Sequence, residues 1–155
     1  MNEITHIIWD DLNHFSESEF PAGVTEKVSP AFLCKLDKFR EALGCAVRPS
    51  PLSDGWFRTD GSTTSRHYIG SGVMLRKADA GDVFPDCDIF HALITAVHCG
   101  FTGIGLYFDT TLGGKPKHML HLDTRPSELV IWTRDNKKYT TIYPRPNADV
   151  FDLLK

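Results

Sequence analysis

The chain has 155 residues, 41% hydrophobic and 24% charged, with a formal net charge of −3. That balance suits an ordinary soluble globular domain long enough to bury a core unaided, and it gives no electrostatic reason to expect nucleic acid or an anionic membrane as partner. No apolar run approaches the roughly 18 residues of a membrane span, and no repeat or linker divides the chain, so a single domain over residues 1–155 is expected.

The N-terminal MNEITHIIWDDLNHF has no basic segment followed by an apolar one, so no secretory leader is expected and synthesis in the cytoplasm is. The first clear helix is SPAFLCKLDKFREALG, 29–44. Ser29 is a good N-cap, Pro30 fits the first turn and Gly44 stops it. Phe32, Leu36, Phe39 and Leu43 then share one face at the 3.6-residue period. A second helix is expected from about Asp86 to Cys99, with Ile89, Phe90, Leu93, Ile94 and Val97 inward and Gly100 ending it. Strand composition marks Cys45–Val47, Val73–Leu75, Ile104–Phe108, Met119–Asp123, Leu129–Thr133 and Tyr139–Tyr143, the last two joined by the hairpin loop RDNKK. The sum is an α+β domain with a mostly antiparallel sheet and helices on one face. The four cysteines show no CxxC spacing and are expected to be structural thiols.

The stretch KPKHMLHLDTRP, 115–126, sets two histidines and an aspartate close together. If Met119–Asp123 is a strand, Met119, His121 and Asp123 share one face while Leu120 and Leu122 take the other. The leucines mark the core side; His121 and Asp123 mark a polar surface. His118 points with the leucines unless the strand begins after it. A metal centre needs further ligands, and two are available: His67, in the Gly/Ser/Thr-rich loop STTSRHYIG, and Asp82, in ADAGDVFP. Two histidines, one aspartate and an open fourth position are the donor set of a catalytic zinc site. His91 and His98 share a helix face with no acid beside both, and His6 and His14 stand apart from these motifs. Trp132 and Trp56 are expected to pack, although Trp56 beside Arg58 is placed to wall a groove.

In order, NHFSESEF (13–20), the helix VSPAFLCKLDKFREALG, DGWFRTDGSTTSRHYIG (54–70), AGDVFP (80–85), GFTGIGLYFD and HLDTRPSELVIWTR resemble the motifs of the zinc D-alanyl-D-alanine carboxypeptidases and related phage endolysins. The resemblance spans roughly residues 13–134 and implies a hedgehog-type zinc peptidase fold. It further implies a Zn²⁺ site of His67, Asp82 and His121, with Arg58 neutralising a substrate carboxylate, a role that guanidinium geometry suits. The implied activity is hydrolysis of peptidoglycan stem peptides, as a D-Ala-D-Ala carboxypeptidase or an L-Ala-D-Glu endopeptidase, by a monomer released to the cell wall or carried on a virion. A non-catalytic virion, tail or peptidoglycan-binding module on the same fold is the alternative.

The chain departs from the family pattern twice. The aspartate ligand usually follows the histidine by about seven positions, where this chain has Met74; Asp82 lies 15 positions on, which calls for a lengthened hairpin around Ser71–Lys77 and leaves Asp79 as a competing ligand. Many members also carry a glutamate base three residues before the last histidine, where this chain has His118. Asp123 is therefore the first candidate for a catalytic or ligand-orienting carboxylate and His118 the second.

Overall fold

The computed structural model describes residues 9–145; His6 and the first eight residues of the leader reading lie outside them. The described residues form an α+β fold around a six-stranded, mostly antiparallel sheet. Its strands are Val47–Pro49 (β1), Ala80–Pro85 (β2), Gly103–Tyr107 (β3), Met119–Asp123 (β6), Val130–Asp135 (β7) and Lys138–Tyr143 (β8), with Thr111–Leu112 (β4) and Lys115–Pro116 (β5) forming a separate small hairpin. The strand order is β1-β2-β6-β3-β7-β8, and every pairing is antiparallel except β3 with β7. The helices are Val24–Lys27 (α1), Pro30–Leu43 (α2) and Ile89–His98 (α3). Among the described residues no helix is long and apolar enough to cross a membrane.

Helix α2 forms for the reasons its sequence suggests. The Ser29 hydroxyl accepts from the Phe32 N–H at 3.3 Å, Pro30 occupies the first turn, and Gly44 closes the helix at φ 72°. Its apolar face, Phe32, Leu36, Phe39 and Leu43, is buried, each such side chain contributing roughly 1.5–3 kcal/mol. Asp37 on the same helix is also buried, and its carboxylate accepts the backbone N–H groups of Asn13, His14 and Phe15. This ties the NHFSESEF segment to the core, where Phe20 packs on Trp56 at 4.9 Å between ring centroids.

Helix α3 corrects the expected inward face. Ile89 and Leu93 do face the core, but beside them lie Ala92 and Ala96, while Phe90, Ile94 and Val97 are 54%, 58% and 37% exposed. A helix apolar on nearly all sides has no decisive stripe; the small alanines permit the closest approach and so determine the buried side.

The segment 73–75 is a loop, not a strand: Val73 and Leu75 are more than two-thirds exposed. Gly70 and Gly72 adopt φ 119° and 78°, and a bond from Leu75 N–H to the Ile69 carbonyl closes the turn, so no lengthened hairpin forms over Ser71–Lys77. The first strand begins two residues later than expected, at Val47, and the β7–β8 turn is tighter than RDNKK suggests. Asn136 and Lys137 alone make it, both at positive φ, the conformation a two-residue hairpin turn demands.

Register assigns each sheet residue to a face. Asp82 pairs with His121, His121 with Gly105 and Gly105 with Trp132 across β2, β6, β3 and β7, and residues paired in this way share a face. Val83, Ile104, Leu106, Leu120 and Leu122 fall on the other face, all fully buried in the core. The sheet thus has one oily side, covered by helices, and one side on which histidine, aspartate, glycine and tryptophan stand in a row.

Candidate metal centre

Three side chains converge on the polar face. His67 Nε2 lies 3.1 Å from His121 Nδ1 and 3.4 Å from Asp82 Oδ1, and His121 Nδ1 lies 3.0 Å from Asp82 Oδ1. All three residues are buried. Asp82 and His121 are neighbours because β2 and β6 pair in that register. His67 arrives from a loop whose backbone is pinned to the segment carrying Arg58: Arg58 N–H donates to the His67 carbonyl and Ile69 N–H to the Arg58 carbonyl.

Each histidine is held by its second nitrogen. His121 Nε2 lies 2.8 Å from Asp123 Oδ2, and His67 Nδ1 faces the Trp56 carbonyl at 3.4 Å. Asp123 has no exposed surface and also receives the Arg125 guanidinium, Nε at 2.8 Å on one oxygen and Nη2 on the other. Gly103 makes room for that carboxylate, since a Cβ there would stand 2.1 Å from Asp123 Oδ1. Burial alone would raise the Asp123 carboxyl, but the bonds from Arg125 and then His121 outweigh it and hold it well below the usual carboxylate range. The ionised carboxylate only accepts, so His121 Nε2 carries the proton it donates.

That tautomer bears on what the cluster can bind. With Nε2–H given to Asp123, the Nδ1 lone pair of a neutral His121 points at the Asp82 oxygen 3.0 Å away. Two lone pairs at that separation repel unless a cation lies between them. A proton is one solution: burial would lower the His121 pKa, but the bonds to Asp123 and Asp82 push it up to about 9. A metal ion is the other. Asp82 favours either, since burial, which would raise its carboxyl, is outweighed by the charge of His67 and the bonds from His121 and His67, leaving it well below the ordinary range. The three donor atoms also fit a small ion. Ligands at about 2.05 Å around a tetrahedral zinc stand about 3.3 Å apart, and here the separations are 3.0–3.4 Å. A ring N–H given to a carboxylate or carbonyl is the usual support of a metal-bound histidine. The buried His67–Asp82–His121 group could therefore hold a metal ion.

The other candidates from the sequence take separate places. Asp79 is committed elsewhere: it accepts Arg66 Nε and Nη2 at 2.8 and 2.7 Å, and Thr124 Oγ1 at 3.2 Å. It anchors the loop carrying His67 and does not join the cluster. Asp123 lies across the imidazole from Asp82 and His67, its oxygens filled by His121 and Arg125, so it is a positioning residue and not a free base. His118 does not approach the cluster. The strand begins after it, its ring packs 5.0 Å from that of Phe108, and it borders a separate hollow with Pro85, Cys87 and Lys117. His91 and His98 are exposed on α3. Trp56 packs, with no exposed surface, and donates Nε1–H to the Ser50 carbonyl.

The cluster forms part of the wall of a cavity of about 840 Å³, which Arg58, Arg66, Arg125, Arg134, Tyr107, Trp132 and Tyr139 also line. Arg58 gives its Nε–H to the Asp54 carbonyl at 2.7 Å. Trp132, expected to be a packing residue, is a wall of this cavity. Its indole lies over Gly105, where a Cβ would stand 2.6 Å from Nε1, and its ring is 5.1 Å from that of His121. Sequence reasoning overlooked Arg66, Arg125, Arg134 and Trp132 as site residues. The one available clue was GIG at 103–105, two glycines on alternate positions of a strand, which leave one face bare for other side chains to occupy. No family model, curated protein or solved structure matches this chain.

Proposed function

We propose that the chain is a zinc-dependent peptidase of the D-alanyl-D-alanine carboxypeptidase and endolysin type, with a hedgehog-type fold, acting on peptidoglycan stem peptides. The observation that carries the reading is the convergence of His67 Nε2, Asp82 Oδ1 and His121 Nδ1 within 3.4 Å of one another on the wall of an arginine-lined cavity. His67, Asp82 and His121 hold the ion. Bound there, zinc supplies Lewis acidity toward a carbonyl oxygen and acidifies water. Asp123, clamped by Arg125, holds the His121 ring in the tautomer that turns Nδ1 to the ion. Arg58, with its Nε edge fixed to Asp54, turns its remaining donors to the substrate's carboxylate.

The second reading is a non-catalytic peptidoglycan-binding or virion module on the same fold. The positions of Asp123 and His118 favour it: the first is saturated and behind the ligand, the second is outside the cavity. Metal analysis of the purified protein, followed by incubation of the zinc-loaded form with muropeptides and D-Ala-D-Ala dipeptide across pH 5–9, separates the readings. One equivalent of zinc with turnover is the expected result. Zinc without turnover transfers the assignment to the binding module, and no metal uptake removes the zinc peptidase reading.

A further inference from the structure

Four arginines line the cavity, and they are not equivalent. Arg66 and Arg125 are each spent in a two-point contact with a carboxylate, Asp79 and Asp123 respectively. Arg58 and Arg134 are not. Arg134 Nε is buried without an acceptor and sits 3.5 Å from Asp109 Oδ2, whose neighbouring oxygen Oδ1 is equally unmatched. The guanidinium is nevertheless held in place, 5.5 Å from the Tyr107 ring centroid and 5.7 Å from that of Tyr139, with the two rings nearly perpendicular at 85°. Tyrosine faces attract a guanidinium without using its N–H donors. Its Nε edge is turned to Asp109, which is not a cavity residue, so the cavity meets the remaining donors.

Register places this group relative to the cluster. Met119, Tyr107, Arg134 and Tyr139 form one row across β6, β3, β7 and β8, beside the row of His121, Gly105, Trp132 and Thr141. Arg134 is thus two strands across and two residues along from His121, about 12 Å at the usual strand spacing and rise, on the β7–β8 side. Arg58 is tied to the His67 loop, which meets the cluster from the β2 side. The two unspent arginines therefore flank the cluster, with the Trp132 indole between Arg134 and His121.

We propose that Arg134, clamped by Tyr107 and Tyr139, is a second anion subsite of the cavity, and that the ligand is a peptide carrying an internal carboxylate besides the one met by Arg58. The proposal rests on the peptide reading above and adds a specificity residue to it. A fixed guanidinium with open donors recognises carboxylate by two parallel charge-assisted bonds, worth about tenfold or more in affinity over the amide.

The test uses the full chain, both metal-depleted and zinc-loaded, and two pairs of tetrapeptides with free C-termini. Within each pair the peptides differ only in glutamate against glutamine, placed at the second or the third position. Calorimetry on wild type should show one glutamate peptide binding about tenfold more tightly than its twin. Arg134→Gln should erase that difference, with the larger loss on the glutamate peptide, and Arg134→Lys should restore part of it. Arg58→Gln should weaken all four peptides alike. In the metal-depleted protein, where nothing is cleaved, the Arg134 Nε–H resonance should shift with the glutamate peptide only. If Arg134→Gln does not fold, Tyr139→Leu, which removes one side of the clamp at a residue 64% exposed, should still lower the discrimination. Equal binding of the twins to wild type, discrimination that survives Arg134→Gln, or no binding at all overturns the subsite. Discrimination without cleavage overturns only the peptidase reading; cleavage without discrimination overturns only the subsite.

Discussion

Arg125–Asp123 and Arg134–Asp109 stand on the same sheet face and differ in every physical respect. In the first pair the carboxylate has no exposed surface and both its oxygens receive guanidinium nitrogens. In the second the nearest approach is 3.5 Å, and one atom on each side is buried without a partner. A buried charge left unmatched costs stability unless something compensates it. A completed pair therefore marks a position the fold maintains, here the orientation of His121. The incomplete pair leaves the Arg134 guanidinium beside the cavity, and the proposed anion subsite uses its donors not turned to Asp109.

The comparison breaks first at Asp123. Asp123→Ala removes the His121 support and strands Arg125, so metal affinity should fall about 10–100-fold and the unfolding free energy by about 3 kcal/mol. Metal titration and urea denaturation measure the two. Gly103→Ala should reproduce the metal defect by pushing a Cβ into the same carboxylate. Retention of wild-type metal affinity in both variants would show that the pair does not orient the ligand.

The next largest effect separates the two aspartates of ADAGDVFP. Asp82→Ala should abolish stoichiometric metal binding, since one of three donors is lost. Asp79→Ala should keep one metal per chain while lowering stability by about 1–2 kcal/mol through the freed Arg66. Metal content after dialysis, together with thermal unfolding, decides it; metal loss in Asp79→Ala alone would reverse the assignment.

The smallest effect sharpens the contrast from the other side. Asp109→Asn keeps an acceptor for the Lys137 N–H, now 2.8 Å from Oδ2, and loses only a contact that is not a hydrogen bond. Stability should change by less than about 1 kcal/mol. A loss comparable with that of Asp123→Ala, read from the same urea curves, would mean that Arg134 and Asp109 are a structural pair after all.

Much of this architecture is visible in local sequence. Ser29, Pro30 and Gly44 mark both ends of α2 because caps are local chemistry. The alternation MLHLD sends the leucines to the core and His121 with Asp123 to the other face because a strand's side chains alternate whatever surrounds it. Local reasoning failed where the environment decided. Val73–Leu75 is apolar enough for a strand, yet Gly70 and Gly72 just before it turn it out to solvent. On α3, Phe90 and Ile94 lost the core to Ala92 and Ala96.

At the site the division has the same cause. Sequence by itself supplied the candidate donors, His67, His121 and one of Asp82 or Asp79, the resemblance favouring Asp82, and strand period supplied the face on which His121 and Asp123 lie. Pairing between distant strands, together with the loop that brings in His67, decided the rest. It set Asp82 against His121, assigned Asp79 to Arg66 and turned His118 away toward Phe108. It also left Arg134 beside the cavity with only a 3.5 Å approach to Asp109 and no hydrogen-bonded carboxylate. Hydrogen-bond partners and burial belong to residues far apart in the chain, and only their assembly in space determines which charges are spent and which remain free.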